Sequence, residues 1–105
     1  MTLHGIDLDA PQIQQFRHRW KITELNVFGS ILTDQFGPDS DIDMLVDYEP
    51  DAEWDLFDEM HMHDELERIL GRRVDIVDRF AIEHDGNRFL RSEILSTMES
   101  VDACR

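Results

Sequence analysis

The sequence predicts an α+β fold, an α/β sandwich in which a small mixed β-sheet is backed by helices. Three observations lead there. Short runs of alternating apolar and polar residues interchange with longer runs whose apolar residues recur at helical spacing. Glycine-containing turns, Gly29-Ser30, Gly37-Pro38-Asp39-Ser40, Gly71 and Asp85-Gly86-Asn87, punctuate them. The 105 residues, 41% of them hydrophobic, suffice for one modest core, so residues 1–105 are expected to form a single domain.

Asp9 is placed to cap a first helix over residues 9–20, with Pro11 in its first turn and Ile13, Phe16 and Trp20 on one side. Residues 22–28 alternate, Leu25 and Val27 against Glu24 and Asn26, and read as a strand ending at Gly29-Ser30. A short helix is expected over 30–36, followed by the turn at 37–40 and a second strand over 41–48. From 54 to 70, Leu56, Met60, His63, Leu66 and Leu70 mark a helical stripe with Glu59 and Glu67 at its rim, and Gly71 is a natural terminator. Residues 72–77 are rich in β-branched side chains and form a third strand. A turn and cap at 85–87 introduce a last helix carrying Phe89, Leu90, Ile94, Met98 and Val101. Helices in this order should cover one face of the sheet and leave the other open.

Charge narrows the function. Ten basic residues against 24 acidic ones leave a net charge of −14, a field that repels a phosphate backbone and argues against broad nucleic-acid binding. A nucleotide is tolerated only where cations or oriented amides reverse the local sign. The one cysteine, Cys104, cannot form an intramolecular disulfide, so the cytoplasm is the expected compartment. No apolar run approaches the roughly 18 residues of a membrane span, and the first residues lack the layout of a signal peptide.

Chemistry concentrates in two stretches. In a strand, residues two apart share a face, so Asp41 and Asp43 project together while Ile42, Met44 and Val46 face the core. Asp75 is a third acid in an otherwise apolar strand, and a carboxylate buried there without a partner is costly. A divalent cation accounts for all three economically. Gly29-Ser30, at a strand-to-helix junction, offers backbone amides and a hydroxyl to a phosphate. Each element alone has a plain structural reading, a capped helix or a solvated sheet face. Together, Gly-Ser, ten residues, then Asp-Ile-Asp, the match arises by chance in about one chain of this composition in a few hundred.

These residues resemble the minimal nucleotidyltransferases of the DNA polymerase beta superfamily, whose signature is Gly-Ser, ten residues, Asp-x-Asp. The resemblance runs through VFGS at 27–30, PDSDIDMLVDY at 38–48 and GRRVDIVD at 71–78. In detail the chain resembles the MNT antitoxins, which are paired with HEPN ribonuclease toxins and silence them by moving AMP from ATP to a toxin tyrosine. The resemblance implies a nucleotidyltransferase fold and a hetero-oligomer with such a toxin. It implies that Gly29 and Ser30 hold the phosphates of ATP, while Asp41, Asp43 and Asp75 act as the catalytic carboxylates and bind two magnesium ions. Several relatives carry a small-residue, Arg-rich stretch after Gly-Ser, where this chain has Ile31-Leu32-Thr33-Asp34.

Two other readings stand beside this one: a nucleotidyltransferase acting on a small molecule, whose relatives usually carry an extra helical domain, and a catalytically idle module that occludes a toxin. His61 and His63 do not have the spacing of a zinc-binding helix and are read as structural or solvated. Arg88 and Arg91 are read as exposed helical residues, and the acidic run from Asp47 to Asp58 as a solvated helix start.

Overall fold

The computed structural model describes residues 1–84 and 86–102. The expectations for Cys104 and for Asp85 in the turn before the last helix lie outside the described residues.

Strands β3 (Ile22–Phe28), β4 (Ile42–Tyr48), β5 (Val74–Asp78) and β6 (Glu99–Ser100) form a sheet of order β5-β4-β3-β6. β3 runs antiparallel to β4 and β6, whereas β5 runs parallel to β4, so the sheet is mixed as expected. A separate hairpin, β1 (Thr2–Leu3) with β2 (Ile6–Asp7), precedes helix α1 (Pro11–Arg19). Two residues per strand give no alternation to read, which is why the hairpin and β6 escape sequence inspection.

The first face of the sheet builds the main core. Leu25 and Val27 of β3 and Ile42, Met44 and Val46 of β4 pack with Ile13 and Phe16 of α1 and with Met62 and Leu66 of α2 (Leu56–Leu70). Arg17 ties α1 to the end of the chain. Its two terminal nitrogens grip both Asp102 carboxylate oxygens at 3.0 and 2.9 Å, and one also donates to the Thr23 carbonyl.

The second face is not left open. Leu45 turns to it and packs with Ile82 of α3 (Arg79–Glu83) and Ile94 of α4 (Arg88–Thr97) in a smaller cluster. The sheet is thus covered by long helices on one side and partly covered on the other, where Phe28 packs against the smaller cluster while Asp43 is half-buried and Asp75 exposed.

Several boundaries differ from expectation for identifiable reasons. Asp9 does not cap α1. It accepts from the Gln14 side-chain amide, and the residue at the N-cap position, Ala10, has no capping side chain. The helix expected over 30–36 is a single 3₁₀ turn, Gly29–Leu32, because Thr33 is extended and its backbone and hydroxyl both donate to the Ser30 carbonyl. Helix α2 begins at Leu56, where Asp55 and Asp58 form a reciprocal capping box, and ends on Gly71 in the left-handed region. Its inward face carries Met62 and Leu66, whereas Leu56 and Met60 are 68% and 55% exposed. The last helix stops at Thr97, so Met98 and Val101 lie outside it, and Val101 is buried by pairing with Leu25.

Candidate functional site

Register brings the carboxylates together. β4 carries Asp43, and the parallel pairing of β5 places Asp75 directly beside it. The antiparallel pairing of β3 places Phe28 on its other side, so the chain leaving β3 crosses over Asp43 at the next residue, Gly29. That glycine has φ +78, in the left-handed region, and a Cβ on it would collide with the Asp43 carboxylate. The backbone conformation favours glycine, and any Cβ there would have to displace the Asp43 carboxylate. Ser30 follows, half-buried, in the 3₁₀ turn. One such turn lacks the aligned peptide dipoles of a long helix, so any contact with phosphate rests on the local amides and the hydroxyl rather than on a macrodipole.

Asp41 precedes β4 and is exposed, with its carboxylate 4.0 Å from Arg73 Nε. The loop that delivers it is held by Arg72, whose guanidinium donates to the carbonyls of Gly37 and Ser40 and lies over the Phe36 ring at 4.3 Å. Neither arginine was singled out from the sequence. Their signal was positional: a basic pair immediately before a strand aligned in parallel with β4 must fall beside the entry to that strand.

The carboxylates differ in their company. Arg79 binds Asp47 at 2.8 Å and reaches Glu24 at 3.6 Å, Lys21 pairs with Asp51, and Arg17 with Asp102. Among the described residues, Asp43 and Asp75 have no ion-pair partner. Burial raises the pKa of Asp43 above the ordinary carboxylate range, and the charges of Asp75 and then Asp41 raise it further. A corner with acidic oxygens in register and no cation of its own fits a hard divalent ion such as magnesium, whose charge would relieve that repulsion. Among the described residues no three His, Cys, Asp or Glu side chains converge on one point; the arrangement is a facing pair, Asp43 and Asp75, with Asp41 turned towards Arg73.

Beside Gly29 a cleft of about 500 Å³ opens between Leu32 and Thr33 on one side and Glu93, Thr97 and Glu99 on the other, a size suited to a small ligand. A larger surface depression of about 600 Å³ lies on α1 among Gln14, Gln15, His18 and Arg19; none of the three aspartates lines either hollow, and only the cleft beside Gly29 adjoins the site. The features set aside in the sequence mostly take structural parts. Arg91 donates to the Glu83 carbonyl, joining α4 to α3, and Asp47, Asp51, Asp55 and Asp58 are engaged in ion pairs or capping. His63 is engaged on both ring nitrogens.

A mixed sheet whose glycine turn is seated on registered aspartates is suited to handling phosphates through hard cations. Residues 12–100 match the family model described as the nucleotidyltransferase domain, and the chain belongs to that family. It is a nucleotidyltransferase. Over 70 residues, 67% of this chain and 69% of the relative, it is 36% identical to the protein adenylyltransferase MntA of Thermococcus cleftensis. The fold is that of a toxin-antitoxin crystallised with AMP-PNP (TM-score 0.65, 20% identity, 86% of this chain and 69% of that one). It is likewise similar to a tri-AMPylated Shewanella oneidensis HEPN toxin in complex with MNT antitoxin (TM-score 0.57, 20% identity, 86% and 66%). No helix among the described residues is long and apolar enough to cross a membrane.

Proposed function

We propose that this single-domain nucleotidyltransferase is a magnesium-dependent, cytoplasmic antitoxin that moves AMP from ATP to a tyrosine of a HEPN-type ribonuclease toxin, with which it forms a hetero-oligomer. The observation that carries the reading is the corner where Gly29 sits on the Asp43 carboxylate and Asp75 stands in register beside it. The adenylyltransferase relative and the toxin-antitoxin fold neighbours support the choice of reaction and partner.

In this reading Gly29 and Ser30 hold the phosphates, and Asp43 and Asp75, joined by the exposed Asp41 once it turns from Arg73, would hold two magnesium ions. When bound, those ions would neutralise the triphosphate and the departing pyrophosphate. The tyrosine oxygen forms a bond to the α-phosphorus as the bond from that phosphorus to the bridging oxygen of pyrophosphate breaks. Asp75, the exposed member of the pair, takes the tyrosine proton directly or through water and passes it to solvent. Asp43, shielded by Gly29, keeps its carboxylate turned to the phosphates. The net acidity of the chain favours a basic partner, and the acceptor site is completed by that partner.

The second reading, an occluding module without catalysis, is favoured by one observation, the turning of Asp41 towards Arg73. Mass spectrometry of a co-expressed HEPN-type partner decides between them. AMP on a tyrosine of the partner is expected, and a partner that is bound and silenced without added AMP contradicts the transferase reading. A calorimetric titration with ATP should show binding with magnesium and little with chelator, whereas equal affinity in both would remove the metal from the account.

A further inference from the structure

β5 is an edge strand of the sheet and the element that carries Asp75. In a parallel pair alternate residues direct their N–H groups towards and away from the neighbouring strand, and edge N–H groups are ordinarily left to water or blunted by charge. Here two of them are taken by one helix. The Val74 N–H donates to Glu67 Oε2 at 3.1 Å, and the Ile76 N–H donates to His63 Nε2 at 3.3 Å.

The geometry is matched on both sides. Residues 63 and 67 of α2 lie one turn apart, a rise of about 6 Å, and two residues of strand span about 6.6 Å. The His63 ring is also oriented: Nδ1 lies 3.0 Å from the Glu59 carbonyl, which can only accept, so Nδ1 carries the proton and Nε2 is left to receive the Ile76 N–H. Both grips fall on the immediate neighbours of Asp75.

We propose that His63 and Glu67 form a side-chain clamp that fixes β5 and thereby holds Asp75 in place beside Asp43, making them positioning residues for nucleotidyl transfer. The inference rests on the reading above that Asp75 serves the reaction. Neither residue touches the site, so each acts through the backbone of β5.

The test replaces the acceptors with apolar side chains of similar volume, His63→Leu and Glu67→Met, and compares them with His63→Gln and Glu67→Gln, which keep an acceptor of similar reach. Amide exchange at Val74 and Ile76 should quicken in the apolar variants and return towards wild type in the glutamine variants. Calorimetry with manganese as the probe ion, in the presence of ATP, should show affinity about 10-fold weaker in the apolar variants, the size of effect that supporting residues commonly exert on a metal site. In transfer to the HEPN-type partner, kcat should fall by a similar factor, with KM for ATP nearly unchanged, and recover in the glutamine variants. If the apolar variants do not fold, His63→Asn and Glu67→Asp, polar but too short to reach the same N–H groups, should show the same losses. Faster amide exchange with unchanged manganese affinity and kcat would overturn the clamp, leaving only edge protection. A wild-type protein that binds no manganese with ATP would instead overturn the site on which the clamp acts.

Discussion

At Gly29 the α-carbon passes over the Asp43 carboxylate with φ +78. Gly29→Ala therefore meets a steric and a conformational penalty together, and we expect it to cost about 1–3 kcal/mol of stability, measured by denaturant unfolding, and to abolish most nucleotide transfer. Tyr48 offers a cleaner check, since it is the only tyrosine. Burial, then the charges of Asp78 and Glu59, push its pKa up to about 12, and its hydroxyl donates to Met62 Sδ at 3.2 Å. Absorbance titration of the phenol should show a midpoint near that value, and a step close to pH 10 in folded protein would contradict the packing described. Asp41, Asp43 and Asp75 were legible as candidates because acids spaced two apart, or set among β-branched residues, stand out in a strand. The partners that shape them were not. The close seat of Gly29 on Asp43 depends on the register of two strands, and the engagement of His63 and Glu67 depends on which side of α2 meets the edge of β5.

Helix α2 shows what periodicity can and cannot convey. Its length, its terminator and the existence of a start near residue 54 were readable, the terminator because a left-handed glycine is local chemistry; the capping box of Asp55 and Asp58 was not read from the sequence. The buried face was readable only in part: Leu66 lies in the expected stripe and faces the core, but Met62 does so from outside that stripe, while Leu56 and Met60 are exposed. The capping box gives a direct prediction: Asp55→Ala should destabilise the protein by about 1 kcal/mol, seen as a lower melting temperature, while transfer at moderate temperature is retained. The expected helix after Ser30 failed for an equally local reason, the hydroxyl and N–H of Thr33 both closing on the Ser30 carbonyl. Helix α3, little more than one turn, and the two-residue strands β1, β2 and β6 were invisible because so short a run carries no usable period.

The fold class was legible in the sequence because the alternation of strand-like and helix-like runs is a property of the whole chain, whereas coverage of the second face was not, since it hangs on Leu45, Ile82 and Ile94. The acidic balance of the molecule has a matching signature in stability. Because the pKa of Asp43 is raised on folding, its carboxyl is protonated in both states at low pH and adds no penalty there. As pH rises past the ordinary carboxylate value near 4, the unfolded chain ionises first and stability falls until the raised folded value is passed. Asp43→Asn should therefore stabilise the metal-free protein at neutral pH, as denaturant unfolding would show, with the gain fading below about pH 4. Magnesium with ATP should raise the melting temperature of wild type more than that of the variant.

The same substitution tests the central claim, because a metal site and an occluding surface make opposite demands on Asp43. With ATP, magnesium and the HEPN-type partner, transfer of AMP by Asp43→Asn should fall by roughly 100-fold or more relative to wild type, while the variant remains folded and binds the partner. Transfer at the wild-type rate by folded Asp43→Asn would contradict the account.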